Sequence, residues 1–472
     1  MRCREMASRL IVVLTACFLL EARSNSQIES KSPSSLYDPR LGEMRRASVK
    51  WDRRAGPVRK VIDQVVLVPD AAAFYEAIAA WDESAWFPIL IDEAELAPKF
   101  VRAFRPARVI RYPGRPKPIP DNLVWERAQS ATAKSWGRKP QVPPALPEKD
   151  SSAEIAKSER DLDQVHQANV VPRWLGPTPP GVVLSNAKSP SLPGAVALAA
   201  GRFQPLVQWD PTVRKGGNPN EEEARTLSFE LEKVVASVVD QYSSLGDDCD
   251  FLTLAAPYPD RFVVGGAGLK AGVASFDDLV GRDHESLRRW AYAGRLSGDA
   301  PESVYRAMCA LFLQPHSALL FDAYDPADAD FLPYTMSAAA RKLPTDLKST
   351  LVDGAKADVS GWHRMIDPLN RFGFVFINSS GGSQNFMLAG HTRATTGDIP
   401  ATVPAVVLMN HSFSATSPSD PKSLAGAWLS GRRVPLLRFV ERAIHLVVPH
   451  AEPGRVADHR RTADLRVCSD GA

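Results

Sequence analysis

Hydroxyls, amides and one imidazole gather at two breaks in this chain. Phe374 to Ile377 is an apolar run that stops at Asn378-Ser379-Ser380-Gly381-Gly382. Pro404 to Met409 is a second apolar run, and it stops at Asn410-His411-Ser412-Phe413-Ser414. A serine close to a histidine suggests nucleophilic catalysis, in which an imidazole removes the hydroxyl proton. Ser412 is the candidate nucleophile, and Ser380 is the matching position at the first break. His411 is a poor base for Ser412, because adjacent strand residues point to opposite faces. His391, in the intervening loop, is the alternative base. The competing reading is that Asn378, Ser379, Ser380, Asn410 and Ser412 are turn residues bonded to their own backbone. The candidate binding set is Ser379, Ser380, Gly381, Gly382, Asn410, His411 and Ser412.

Other reactive residues carry less. Asp277-Asp278 and Asp322 read as helix caps or as salt-bridge partners of Arg282 and Arg295. Arg295 has a second reading, as a clamp on a substrate carboxylate. Gly265-Gly266-Ala267-Gly268 lacks the strand-to-helix setting of a phosphate loop. The Cys and His residues show no metal-ligand spacing. Neither a cofactor nor a metal is expected. Cys309 lies in an apolar helical pattern and reads as a small core residue; a disulfide to Cys249 is the alternative. The formal net charge is +3 with no basic block, so nucleic acid is not an expected partner.

The elements that position these residues follow a βα grammar. Short apolar runs bounded by turn residues suit buried parallel strands. Val65–Val68, Phe87–Ile91 and Val109–Tyr112 alternate with helices over Ala71–Trp81 and Leu96–Phe104. Phe74, Ile78 and Trp81 share one face of the first helix, which Asp70 caps. A second such unit runs Val182–Leu184, Pro193–Ala200 and Pro205–Val207, with Pro205-Leu206-Val207-Gln208 matching Pro88-Ile89-Leu90-Ile91. A weak internal repeat follows from that match. An amphipathic helix is expected over Glu221–Tyr242. Further strands are expected at Phe251–Leu254 and Leu319–Phe321, with helices over Pro301–Phe312 and Thr335–Leu343. The proline-rich stretch 113–180 reads as an extended, exposed insertion. The expected fold class is α/β, with mostly parallel sheets in two subdomains, 61–297 and 298–431.

The chain start reads as an export signal. Arg2, Arg4 and Arg9 precede an apolar run from Leu10 to Leu20, and Ala22-Arg23-Ser24 follows. This predicts a secretory signal peptide over 1–24, too short to span a membrane permanently. Leu14-Thr15-Ala16-Cys17 offers an alternative, lipidation at Cys17; a buried helix or a misplaced start is the remaining reading. Residues 25–60 read as a flexible leader. The expected location is the periplasm, cell surface or exterior, with no transmembrane segment after cleavage.

From Gly294 to Gly431 the order of elements resembles the gingipain-type cysteine peptidases. The resemblance implies that the second subdomain is caspase-like. Leu296–Phe312 is similar to the segment that closes the family's first subdomain. Phe374–Phe386 resembles the segment carrying Gly-His-Gly, and Val406–Thr416 the one carrying the nucleophilic Cys. The His position falls at Ser380 and the Cys position at Ser412, so neither catalytic residue carries over. The implied function is non-catalytic binding of a peptide or envelope component; the alternative is a serine-dependent hydrolase using Ser412. Val65–Ile110 is also similar to cell-wall-binding repeats, and that reading requires Tyr75, Trp81 and Trp86 to be exposed.

Residues 432–472 break the pattern. They are rich in Arg and His and contain no Lys, Tyr, Trp, Asn or Gln. The family resemblance places a strand with aromatic residues, ending in Gly-Ser, after the helix at Ser423–Leu429. Codons for Arg433 to Ile444 read one base forward can encode Ala-Cys-Leu-Tyr-Phe-Gly-Ser-Leu-Asn-Glu-Pro-Phe. The tail is therefore expected to be a frameshift product, which leaves the sheet one strand short. Val434–Leu437 and Ile444–Val448 pairing as improvised strands is the alternative.

Overall fold

The structure is a computed structural model that describes residues 59–82, 84–112, 118–137, 181–211, 218–245, 247, 249–265, 272–283, 286, 288–313, 317–324, 347–366, 372–399, 405–410, 420, 422–430 and 435–437. The signal peptide, most of the leader, Gly266–Gly268, the helix expected at Thr335–Leu343, and His411 and Ser412 lie outside the described residues. The molecule is mixed α/β with mostly parallel sheets.

The first sheet is three parallel strands, β1 (Gln64–Val68), β2 (Ile89–Ile91) and β3 (Arg108–Arg111), in the order β2-β1-β3. Between them run α1 (Ala71–Ile78) and α2 (Leu96–Phe104). Asp70 sits in extended backbone ahead of α1, and its carboxylate accepts from Ala73 N at 2.9 Å. That bond satisfies one of the helix's otherwise unpaired N–H groups. The α1 helix stops at Ile78, short of the expected Trp81.

The second sheet comprises β4 (Val182–Ser185), β5 (Leu206–Gln208), β6 (Phe251–Leu254) and β7 (Tyr292–Arg295), all parallel, in the order β7-β6-β4-β5. The internal repeat is present in the backbone. Val66 N donates to Pro88 O, and Val183 N to Pro205 O, both at 2.9 Å. Asp92 N donates to Val68 O at 2.7 Å, and Trp209 N to Ser185 O at 2.9 Å. Leu67 pairs with Leu90 as Leu184 pairs with Val207. In each unit the first strand is central and the next two strands flank it.

One core lies between these two sheets. It gathers Val65–Val68 and Val183 with residues from α1, α2, α3 (Val124–Lys134), α4 (Leu192–Arg202) and α6 (Ala300–Phe312). Alternation along β4 sends Val182 and Leu184 into a second core with α5 (Glu221–Ala236). Both faces of that strand are buried, which explains its unbroken apolar run. The α5 helix ends at Ala236 rather than Tyr242. The expectation of an extended insertion from residue 113 is corrected over 124–134: α3 is helical there and buries Ala128, Ala131 and Thr132. Arg59, expected in the leader, is buried, with its guanidinium donating to Ala200 O and Ser135 O.

The third sheet is parallel throughout. It contains β8 (Ser317–Asp322), β9 (Lys348–Val352), β10 (Phe374–Asn378), β14 (Ala405–Asn410) and β15 (Pro435–Leu437), in the order β9-β8-β10-β14-β15. Leu319, Phe321, Val375 and Ile377 pack on Trp362 of α7 (Val359–Ile366) and Trp428 of α8 (Leu424–Ser430). The alternate residues Ala318, Leu320, Phe374 and Phe376 are also buried. The sheet does not lack the strand expected to be lost at the tail, because Pro435–Leu437 pairs with Ala405–Val407. Ile444–Val448 lies outside the described residues. Between β10 and β14 the expected polar loop is instead an antiparallel meander: β11 (Gly381–Gly382), β12 (Asn385–Leu388) and β13 (Thr392–Thr395).

Candidate functional site

The carboxyl ends of β8, β10 and β14 are in register, so Asp322, Asn378 and Asn410 form one row across the sheet. In open parallel sheets this edge is where ligands bind. Asp322 is 2% exposed and Asn378 is fully buried. Asn378 Nδ2 donates to Asp322 Oδ1 at 3.0 Å. Tyr324 N approaches the same oxygen at 3.3 Å, and the Tyr324 hydroxyl donates to Ser379 O at 2.9 Å. A buried carboxylate is costly to leave unpaired. These bonds therefore lock the loop after β8 onto the loop after β10. Asp322, expected as a helix cap or an arginine partner, accepts here from the Asn378 amide and the Tyr324 N–H.

The predicted site residues divide clearly. Ser379 is buried and its hydroxyl donates to Ser380 O at 3.0 Å. Ser380 O also accepts from Met387 N at 2.7 Å, which fixes the start of the meander. The Ser379 hydroxyl is thus bonded to local backbone, as a turn residue's would be. Gly381 and Gly382 form the edge strand β11, pairing with Phe386 and Asn385. A Cβ placed on Gly382 meets no atom within 4 Å. Among the described residues β11 is the terminal strand of the three-stranded meander, and the face over Gly382 is open. Asn410 ends β14 in register with Asn378. Ser412 and His411 fall outside the described residues. His391 is exposed and left-handed, with φ 57°, in the turn between β12 and β13.

Arg295 is engaged structurally. Its Nε lies 2.8 Å from both Asp277 oxygens, and its terminal nitrogens donate to Tyr258 O and Pro259 O. Asp278 pairs with Arg282 and Arg289. The ion-pair readings of Asp277 and Asp278 therefore hold, and the carboxylate-clamp reading of Arg295 finds no vacant donor fork. Cys249 and Cys309 are both buried and not joined in a disulfide, and burial pushes the Cys309 thiol up to about 12. Cys309 is a core residue, as its pattern suggested. Tyr75, Trp81 and Trp86 are 5%, 1% and 1% exposed. Trp81 and Trp86 pack edge to face at 5.6 Å, and Trp81 Nε1 donates to Phe87 O. They are core aromatics, not a sugar-stacking surface.

Sequence reasoning missed one pair. His363 Nε2 on α7 lies 3.3 Å from Asp398 Oδ1, just past β13. No periodicity or motif announces it, since the two residues meet only through the meander. Burial opposes charge on Asp398, but hydrogen bonds from Thr395 and the neighbouring His363 hold its carboxyl below the usual range.

No protein-family model, curated protein or solved structure matches this chain. No helix among the described residues is long and apolar enough to cross a membrane.

Proposed function

We propose that this chain is an exported, gingipain-like protein that binds rather than cleaves. Its second subdomain, 298–431, is caspase-like, and its ligand is a peptide or envelope component. The ligand lies along Ser379–Gly382 and Asn410–Ser412. The observation that carries this reading is the terminal glycine strand β11, with open space over Gly382, following the locked row of Asp322 and Asn378. An edge strand offers unpaired N–H and C=O groups, and an extended peptide satisfies them by adding a strand. Glycine at that edge lets a second backbone approach closely. The Ser379 and Tyr324 hydroxyls both donate to backbone carbonyls.

Binding of extended peptides to the full chain, read by interferometry against a random-peptide library, tests it. Gly382→Trp fills open space, so the fold survives while affinity falls about tenfold or more. An unchanged affinity removes β11 from the site. Labelling of Ser412 by a fluorophosphonate, lost in Ser412→Ala, overturns the non-catalytic reading. Mass analysis of the mature N-terminus tests export: a start after Ser24 fits, and a retained Met1 does not. Re-sequencing the gene across codon 431 decides the frameshift origin of the tail.

A further inference from the structure

We propose that His363 and Asp398 form a pH-sensitive latch that ties α7 to the meander bearing the glycine edge. Consecutive residues of α7 grip one turn residue. His363 Nε2 meets the Asp398 carboxylate at 3.3 Å, and Trp362 Nε1 donates to Asp398 O at 2.8 Å. The other carboxylate oxygen accepts from Thr395 N at 2.7 Å and from Thr395 Oγ1 at 3.0 Å. Thr395 lies opposite Asn385 in the ladder, and Asn385 lies opposite Gly382. A chain of direct neighbours therefore runs from the imidazole to the terminal strand β11.

The rest of the joint does not titrate. Ala389 N donates to Ala357 O at 2.9 Å, and the Trp362 ring meets Phe386 at 5.1 Å. These contacts hold α7 in place whatever the charge on His363, so the pH effect is confined to the Thr395–Asp398 end. A histidine changes charge between about pH 5 and 8. Protonated, His363 contributes an ion pair as well as a hydrogen bond; neutral, it contributes the hydrogen bond alone. The His363 side chain is 53% exposed and Asp398 27% exposed, so solvent screens the pair in part. The other charged or titratable residues on 354–366 and on the 381–398 meander are Lys356, Asp358, whose Oδ1 accepts from Gly361 N, Arg364, His391 and Arg393. Among the described residues only Asp398 lies within ion-pair distance of His363. The latch operates whether or not the crevice holds a peptide.

Hydrogen exchange of peptides spanning 381–398 in the full-length protein tests it, at pH 5.5 and pH 8 with correction for intrinsic rates. The wild-type segment is expected to be about two- to fivefold more protected at pH 5.5, the range of a partly exposed ion pair. His363→Gln keeps a neutral donor and is expected to show equal corrected protection at both pH values. Equal protection in the wild type, or a pH dependence that survives in His363→Gln, overturns the latch.

Discussion

The two βαβ units share a frame and differ in where their helices sit. The same number of residues separates Val68 from Pro88 as separates Ser185 from Pro205. In the first unit α1 begins at Ala71, directly after Pro69 and its Asp70 cap. In the second unit α4 waits until Leu192 and has no side-chain cap. The spare residues therefore fall at opposite ends of the crossover. In the first they form the Asp82 turn and the short strand Ala85–Trp86 ahead of β2. In the second they form the loop Asn186 to Ser191, at the carboxyl end of β4. There Ser185 and Ser189 both donate to Ala255 O, and Ser191 to Gly298 O. The difference teaches that strand register is fixed by the apolar triplets, whereas helix placement within the crossover varies: α1 starts at its Asp70 cap and α4 starts without one. Crossover length decides neither.

Breaking the shared core should have the largest effect. Trp86→Ala removes a 1%-exposed ring packed on Trp81 and Phe312, and should cost about 3–5 kcal/mol in urea unfolding. A loss under about 0.5 kcal/mol would instead mark Trp86 as a surface residue. Next comes the joint between α4 and α6. A Cβ on Gly194 would lie 2.5 Å from Ser303 O, a backbone atom that cannot swing away. Gly194→Ala should therefore destabilise by about 1–3 kcal/mol through overpacking, despite alanine's better helix propensity. A stabilised variant would mean the two helices separate easily.

The caps sharpen the contrast at smaller cost. Asp70→Ala should cost about 1 kcal/mol and fray the start of α1. The smallest effect is expected at Asp82, whose carboxyl is held below its usual range by the Ser84 side chain and the Ser84 and Ala85 backbone N–H groups. The sign follows from linkage. A depressed carboxyl contributes stability above its unfolded-state value and loses it as pH falls through the native value. Asp82→Asn should thus be slightly less stable than wild type at neutral pH, and the difference should vanish as acidification carries the carboxyl through its lowered native value. A gap that grows on acidification would contradict the assignment.

The central strands of all three sheets were legible as apolar runs, because parallel strands buried on both faces leave no polar alternation to misread. Asp70 as a cap and Cys309 as a core residue were equally local, and so were found. The meander was missed because Gly381-Gly382 reads as the break after an apolar run; only its pairing with Asn385–Phe386, and theirs with Ala394–Thr395, makes these segments strands. Helix α3 was missed because prolines on both sides masked a short segment whose helicity depends on burying Ala128 and Ala131 against its neighbours.

The sequence by itself determined the βα order, the repeat, the register-setting triplets and the local backbone bond of Ser379. Each depends on residues within a few positions of one another. Tertiary structure alone decided that Asp322 meets Asn378, that Trp81 and Trp86 are core, and that His363 finds Asp398. Each of these joins segments whose separation in the chain carries no signal, because long-range partners are chosen by how sheets and helices stack.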